Sequence, residues 1–168
     1  MPPLNNIRNF LTGRNSDWVP MRPPWSCEEQ TFIELCTRCN DCARACPQKI
    51  IIKGGGGFPE VNFSTQGCDF CGLCLKSCNS GALHRHQAHP FRFTAVITDQ
   101  CFSMRGIVCR SCGEICEFRA ISFKAIVGGK TKVQLSRDNC TGCGECISIC
   151  PADSITMKPT VIQETLNE

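Results

Sequence analysis

The sequence predicts an α+β fold made of two tandem modules that follow an irregular N-terminal tail. Two observations support this prediction. One spacing of four cysteines occurs three times and once more in a stretched form, and short apolar segments lie between the cysteine sets, with glycine-containing turns after the first and third sets. We therefore expect a tail over residues 1–30, a first module over 31–90, a second module over 91–158 and a C-terminal tail over 159–168.

The cysteine content narrows the class of protein. Seventeen of the 168 residues are cysteine, and tyrosine is absent. A small chain of this kind is typical either of a secreted disulfide scaffold or of an intracellular metal protein. Residues 1–26 contain no apolar run as long as an export signal needs, and no segment elsewhere is long enough to span a membrane. The sequence therefore favours a soluble, cytoplasmic metal protein without membrane insertion.

Sixteen of the cysteines fall into four motifs, and Cys27 stands outside them. Motifs 1, 2 and 4 have the spacing C-x2-C-x2-C-x3-C, whereas motif 3 has seven residues between its first two cysteines. Motif 1 contains Cys36, Cys39, Cys42 and Cys46, motif 2 contains Cys68, Cys71, Cys74 and Cys78, motif 3 contains Cys101, Cys109, Cys112 and Cys116, and motif 4 contains Cys140, Cys143, Cys146 and Cys150.

This spacing is typical of the [4Fe–4S] sites of bacterial ferredoxins. Three cysteines at intervals of three wrap a tight loop around three corners of the cluster, while the fourth binds the cluster of a partner motif. A zinc site more often takes two separated pairs of ligands, and disulfides among so many close neighbours would be strained. All sixteen motif cysteines are therefore predicted to bind iron, as ligands of four [4Fe–4S] clusters.

The segments around the motifs predict which motifs are paired. Residues 49–53 and 58–63 indicate a hairpin between motifs 1 and 2, and residues 121–127 and 132–136 indicate a hairpin between motifs 3 and 4. In the second module, residues 91–98 and 154–159 are expected to pair as entering and leaving strands. In the first, residues 28–35 look helical and residues 81–86 suggest a leaving strand.

These patterns favour pairing motif 1 with motif 2 and motif 3 with motif 4. A nested arrangement, motif 1 with motif 4 and motif 2 with motif 3, remains the alternative. The favoured arrangement predicts four ligand sets, which are Cys36, Cys39, Cys42 with Cys78; Cys68, Cys71, Cys74 with Cys46; Cys101, Cys109, Cys112 with Cys150; and Cys140, Cys143, Cys146 with Cys116.

Other features of the chain have ordinary interpretations. Gly54–Gly57 lacks the Lys-Ser/Thr of a phosphate loop and predicts a hairpin turn. His84, His86 and His89 could bind a metal, but a solvated strand edge is favoured, because no further ligand is near in sequence. Cys27 is interpreted as an unreactive packing residue rather than a redox thiol.

The charge and the motifs exclude several functions. The formal charge of +3 counts cysteines as neutral, and four clusters would bring the net charge to about −5, so a nucleic-acid partner is not indicated. No nucleophile with a base, no recognisable carboxylate pair and no dinucleotide fingerprint is present. The sequence therefore predicts no enzyme and no small-molecule substrate.

A resemblance to a known family is carried by three features. They are RNFLTGR at residues 8–14, RPPWS at residues 22–26, and four cysteine motifs of which the third is stretched. Together they resemble the NapF family of ferredoxin-type proteins. The resemblance implies a cytoplasmic protein with several [4Fe–4S] clusters, held by the sixteen motif cysteines. It also implies a role in maturation of the catalytic subunit of periplasmic nitrate reductase, such as cluster supply or insertion into its precursor before export.

Two functional hypotheses follow from the sequence. The first is a maturation factor for nitrate reductase, and the second is a polyferredoxin that donates electrons to a redox enzyme. Motifs 2 and 3 have Asn79 and Glu117 where the other motifs have proline after the fourth cysteine, which leaves the local geometry there open.

Overall fold

The computed structural model describes residues 19–85, 90–127 and 131–160. The described helices are α1 (Glu29–Leu35), α2 (Asp41–Ala45), α3 (Leu73–Lys76), α4 (Ser111–Glu114) and α5 (Glu145–Ser148). The described strands are β1 (Ile51–Lys53), β2 (Pro59–Val61), β3 (Phe93–Ile97), β4 (Ile121–Ala125), β5 (Thr131–Leu135) and β6 (Ile155–Pro159). In these ranges no helix is long and apolar enough to cross a membrane.

The described strands form three antiparallel pairs. Strands β1 and β2 make one hairpin and β4 and β5 make another, with Ile121 opposite Leu135 in the second. Strand β3 pairs with β6, so that Ile97 lies opposite Ile155. Each pair lies where the alternation of apolar residues and the turn signals predict it. The helix predicted over residues 28–35 is also present, as α1.

The core of the second half, residues 90–160, is small. Ala95, Ile121 and Ile155 from three different strands are buried together with the thiols of Cys112 and Cys146. Helices α4 and α5, which carry those cysteines, contact each other and the strands. Because so little apolar surface is available, the cysteine-bearing helices are themselves a large part of the core.

Residues 19–27, placed in the tail by the sequence analysis, are packed against the first half of the chain. The Val61 N–H donates to the Met21 carbonyl at 2.7 Å, and Ser26 forms an antiparallel β-bridge with Leu83. This bridge occupies the position that the β3–β6 pair has in the second half. The leaving strand predicted over residues 81–86 is therefore reduced to one bridge, and residue 86 lies outside the described ranges.

Trp25 fixes this segment to the end of the first half. Its side chain is buried, and its backbone has a φ of 64°, an uncommon conformation for a residue with a side chain. The Trp25 N–H donates to the Pro90 carbonyl at 2.8 Å, and the Trp25 carbonyl accepts from the His84 N–H at 2.9 Å. The other tryptophan of the chain, Trp18, lies outside the described residues.

Arg22 links three elements of the first half. Its guanidinium carbon lies 5.1 Å from the centre of the Phe32 ring in α1 and 5.4 Å from that of Phe58. The same group donates to both carboxylate oxygens of Glu29, at 2.7 and 2.9 Å, and to the Pro59 carbonyl at 3.1 Å. A planar cation with several donors suits this combination of aromatic faces and a carboxylate.

The two halves meet through aromatic side chains. Phe91, which follows the first half, contacts Phe63 and Phe70 with ring centres 5.8 and 6.0 Å apart. Phe70 also contacts Phe118 of the second half at 6.2 Å. These edge-to-face and tilted contacts join the halves next to motifs 2 and 3.

Replacing Arg22 tests whether residues 19–27 belong to the folded first half. We expect Arg22→Ala to lower the free energy of unfolding by about 2 kcal/mol, because it leaves the Glu29 carboxylate without its partner and removes the cation over the Phe32 ring and one of the two over the Phe58 ring. Urea unfolding of the iron-loaded protein under anaerobic conditions measures the change.

Arg44→Ala is the matched control. The Arg44 side chain is 69% exposed and pairs with Asp41 at the surface, so its loss should change stability by less than about 0.5 kcal/mol. Equal effects of the two replacements would show that the Arg22 contacts do not anchor the segment.

Candidate metal centres

In the part of the chain that the structure describes, four cavities of similar size are each lined by four cysteines. Each has about 290–350 Å³ of empty space, part of it open to solvent. Site A is lined by Cys36, Cys39, Cys42 and Cys78; site B by Cys46, Cys68, Cys71 and Cys74; site C by Cys101, Cys109, Cys112 and Cys150; and site D by Cys116, Cys140, Cys143 and Cys146.

The grouping follows the pattern of exchanged fourth ligands. Every cavity takes three cysteines from one motif and the fourth from the partner motif in the same half of the chain. Sites A and B use motifs 1 and 2, and sites C and D use motifs 3 and 4. The nested alternative would have joined motif 1 to motif 4, which these cavities do not do.

Left-handed backbone conformations bend the loop in three of the motifs. The residues on either side of the second cysteine both have positive φ in motifs 1, 2 and 4, and they are Arg38 and Asn40, Phe70 and Gly72, and Gly142 and Gly144. Two such residues around one cysteine reverse the chain twice, which turns successive thiols toward a common centre. Glycine adopts this conformation without strain, whereas no local sequence signal predicts it for Arg38 and Phe70.

In the stretched motif 3 the chain reverses direction at a different position. Neither Val108 nor Arg110, which flank Cys109, has a positive φ, whereas Gly106 within the extra residues does, at 86°. The Ser103 hydroxyl donates to the Cys109 carbonyl and closes this loop. The inserted residues thus supply the reversal, and Cys101 and Cys109 reach the same cavity.

A common turn follows the fourth cysteine of every motif. The third residue after that cysteine has a positive φ in all four cases, and these residues are Lys49, Gly81, Arg119 and Asp153. The proline found after motifs 1 and 4 is therefore not required for the turn, which resolves the question left open for motifs 2 and 3.

This turn directs polar groups at the fourth sulfur. The Ala120 N–H donates to Cys116 Sγ at 3.3 Å, and the Ser154 N–H donates to Cys150 Sγ at 3.4 Å. The Ser154 hydroxyl lies 3.3 Å from the Cys150 sulfur. Donors placed in this way favour a charged thiolate, which is the form that binds iron.

Burial, by contrast, favours the protonated thiol over the thiolate as long as no metal is bound. Loss of solvent raises the pKa of Cys42 and Cys112 to about 11, and that of Cys68, Cys74 and Cys146 to about 12. Thiols with such pKa values are protonated near pH 7. Iron must therefore displace protons from them, and the positive charge of the metal offsets the cost of burying thiolates.

The donor set fits iron–sulfur clusters. Sixteen thiols, backbone donors to sulfur and four separate cavities provide the ligands and the surroundings that [4Fe–4S] clusters use. At site D, Thr141 lines the cavity, and its buried hydroxyl lies beside the Cys143 thiol without a well-formed hydrogen bond among the described residues. A cluster sulfur is an acceptor that this hydroxyl could use.

Three other candidates are not among the cysteines that line these cavities, although Cys27 lies near Cys36 and Cys78 of site A. The His84 ring hydrogen-bonds the Gly81 carbonyl, while His86 and His89 lie outside the described residues. Cys27 is half-buried against the core of the first half, and burial raises its pKa, which disfavours a reactive thiolate. Gly55–Gly57 forms a single turn of 3₁₀ helix between β1 and β2, in agreement with the predicted hairpin turn.

Paired replacements test the grouping of the cysteines. If site A holds one cluster, Cys36→Ala with Cys78→Ala should remove about four irons per chain, no more than either replacement alone. Cys74→Ala with Cys78→Ala should remove about eight, because these two residues of motif 2 line different cavities. Iron analysis of anaerobically reconstituted protein gives the counts, and additive losses for Cys36 and Cys78 would refute the grouping.

Replacing Ser154 tests the donor to the fourth sulfur of site C. An iron-bound thiolate accepts from the hydroxyl, and this bond favours the more negative, reduced cluster. We expect Ser154→Ala to lower one midpoint potential by about 20–60 mV, the equivalent of one hydrogen bond for a one-electron couple. EPR-monitored redox titration measures it. Ser148→Ala is the control, because the Ser148 hydroxyl donates to the Glu145 carbonyl, and an equal shift there would contradict the assignment.

Comparison with known proteins agrees with the cysteine pattern. Residues 35–103 and 106–154 match the family described as the 4Fe-4S dicluster domain. These two segments and the mixed helix and strand structure support the predicted ferredoxin-like modules and [4Fe–4S] chemistry.

Several curated proteins are similar over most of the chain. The ferredoxin-type protein NapF of Escherichia coli K12 is 37% identical over 153 residues, which cover 89% of this chain and 92% of that protein. NapF of Haemophilus influenzae is also 37% identical, with the same coverage. The ferredoxin-type protein NapG of Escherichia coli K12 is 31% identical over 163 residues. The resemblance seen in the cysteine motifs is thereby confirmed, and the chain belongs to the NapF family of ferredoxin-type proteins.

Proposed function

We propose that this protein is an iron–sulfur accessory protein of the periplasmic nitrate reductase system. In this proposal the sixteen motif cysteines hold four [4Fe–4S] clusters at sites A to D, two in a module over residues 31–90 and two in a module over 91–158. The observation that carries the proposal is that each of four cavities is lined by four cysteines, three from one motif and one from its partner.

The proposed action is maturation of the nitrate reductase catalytic subunit. The protein would act in the cytoplasm on the precursor of that subunit, by supplying or inserting its [4Fe–4S] cluster before export. Membership of the NapF family supports this role, because the family resemblance connects such proteins with that reductase. The clusters supply the chemistry, which is one-electron exchange and the transfer of iron and sulfide.

The exposure of the ligands favours the first half as the place of exchange. Cys39 at site A and Cys71 at site B are exposed, whereas none of the eight cysteines of sites C and D is as exposed. A partner protein can reach an iron only where its ligand lies at the surface. Sites A and B are therefore suited to direct contact with a precursor, whereas sites C and D are suited to clusters that stay on the protein.

A wide opening in the described residues does not favour an enzyme. It lies between residues 19–29, 90–93 and 159–160. Its charged groups are engaged in ion pairs, Arg22 with Glu29 and Arg92 with Glu28. Paired surface charges of this kind are typical of packing between segments. An accessory or carrier role therefore suits the chain better than catalysis on a small molecule.

An electron carrier is the second candidate function. The helices that carry the third cysteine of each motif contact each other within each half, so the two sites of each half are neighbours. Neighbouring clusters exchange electrons readily, and a polyferredoxin that donates electrons to a redox enzyme needs no more than this. The two functions differ in whether the clusters leave the protein.

A transfer experiment separates the two functions. The protein is loaded anaerobically with labelled iron and sulfide and mixed with the cluster-free precursor of the nitrate reductase catalytic subunit. We expect the label on the precursor as an intact cluster, with labelled iron and labelled sulfide in equal ratio. An iron chelator in the mixture intercepts released iron, so label that still arrives has passed directly between the proteins.

The controls make the outcome decisive. Cys36→Ala with Cys78→Ala removes site A and should reduce the transfer if the exposed sites are the donors. A deletion of residues 1–18 leaves the anchored segment 19–27 in place and tests whether the N-terminus recruits the precursor. Label that stays on this protein, while an already loaded precursor becomes reduced, would overturn maturation in favour of electron transfer.

A further inference from the structure

The two halves of the chain touch at a pair of candidate ligands. The Cys68 N–H donates to the Cys143 carbonyl at 2.7 Å. Cys68 lines site B in the first half, and Cys143 lines site D in the second. One hydrogen bond thus joins residues that belong to different motif pairs and different cavities.

Glycines make this close approach possible. A Cβ on Gly67, which precedes Cys68, would lie 2.7 Å from the backbone nitrogen of Glu145. A Cβ on Gly144, which follows Cys143, would lie 2.2 Å from the Phe63 ring. Each glycine lies in one half and would collide with the other half if it had a side chain. The absence of side chains therefore brings the two backbones into contact at this junction.

Apolar contacts surround the hydrogen bond. Phe63 and Gly67 are buried, and Phe70 of the first half packs against Phe118 of the second. The donor residue Cys68 is buried and the acceptor residue Cys143 is half-buried, so the hydrogen bond is partly shielded from solvent, which strengthens it relative to an exposed one.

The helices order the remaining sites around this junction. Helix α2 carries Cys42 of site A and is followed by Cys46 of site B, so sites A and B share a helix. In the second half, Cys112 of site C lies in α4 and is followed by Cys116 of site D. Since sites B and D meet across the junction, sites A and C lie at the two ends.

We propose that the four clusters form one chain in the order A–B–D–C and that electrons pass between the halves across the Cys68–Cys143 hydrogen bond. This inference rests on the proposed cluster binding. The path from Cys68 Sγ to Cys143 Sγ consists of the covalent bonds within these two residues and the one hydrogen bond between them. In each step a reduced cluster at one inner site loses one electron and an oxidised cluster at the other gains it, with no bond broken. A low-potential one-electron reductant supplies the electron at the start.

The test isolates the two inner sites. Cys39→Ala with Cys109→Ala removes one ligand from site A and one from site C, and the chain should then retain about eight irons. After full reduction with dithionite, EPR should show the broadened, split spectrum of two magnetically interacting clusters. Spectra of two clusters that do not interact, in a variant that holds the expected eight irons, would overturn the inference while leaving cluster binding intact. Iron far below this value would instead refute the cluster assignment, and the inference with it.

A matched pair of glycine replacements localises the contact. Gly67→Ala, added to the same chain, drives a side chain into Glu145 of the other half and should abolish the splitting. Gly113→Ala is the control, because a Cβ there meets Phe123 of its own half at 2.4 Å. It should leave the splitting unchanged. Loss of the splitting in both variants, or in neither, would contradict the assignment of the junction.

A second measurement does not depend on these variants folding. In the wild-type iron-loaded chain the Cys68 amide should exchange with deuterium at least about tenfold more slowly than in Phe118→Ala, which removes one contact beside the junction. Equal and fast exchange in both would show that the hydrogen bond does not persist in solution. The junction would then be excluded as an electron path.

Discussion

Four thiols from two separate motifs must meet at each candidate site, and this requirement organises the rest of the structure. Helices of four to seven residues and strands in pairs are too short to be stable alone. The apolar core is correspondingly small, and buried cysteines make up part of it. Metal binding is therefore expected to supply a large share of the folding free energy, as in other small domains that fold around metal.

Different local sequences satisfy the same geometric requirement. The turn after the fourth cysteine has lysine, glycine, arginine and aspartate at its left-handed position, and the bend around the second cysteine uses arginine and phenylalanine as readily as glycine. A residue with a side chain is strained in this conformation. The strain is tolerated because the neighbouring cysteines must reach a common site. The position of the cysteines therefore decides the backbone conformation more than the intrinsic preference of each residue does.

Much of the site was predictable from sequence, and the exceptions share a cause. The grouping of cysteines and the hairpins follow from spacing and alternation, which are local signals. Two contacts join residues that are far apart in the chain, and no periodic pattern in the sequence predicts them. They are the packing of Arg22 between Phe32 and Phe58 and the hydrogen bond between Cys68 and Cys143. The segment with Trp25 was assigned to a tail for the same reason, because prolines and a lone tryptophan resemble a linker until their partners are known.

The exchange of fourth ligands also determines how the loss of one cluster affects the neighbouring site. If an oxidant destroys the cluster at site A, Cys78 loses its iron, and the short segment that holds it also carries Cys74 of site B. The loss of site A therefore loosens a segment that also holds a ligand of site B, although site B keeps all four of its own cysteines. The other half shares no ligand with it and has less exposed cysteines. An iron–sulfur repair system would accordingly meet a half of the chain in which one site is empty and its intact neighbour is less firmly held, while the other half is unaffected.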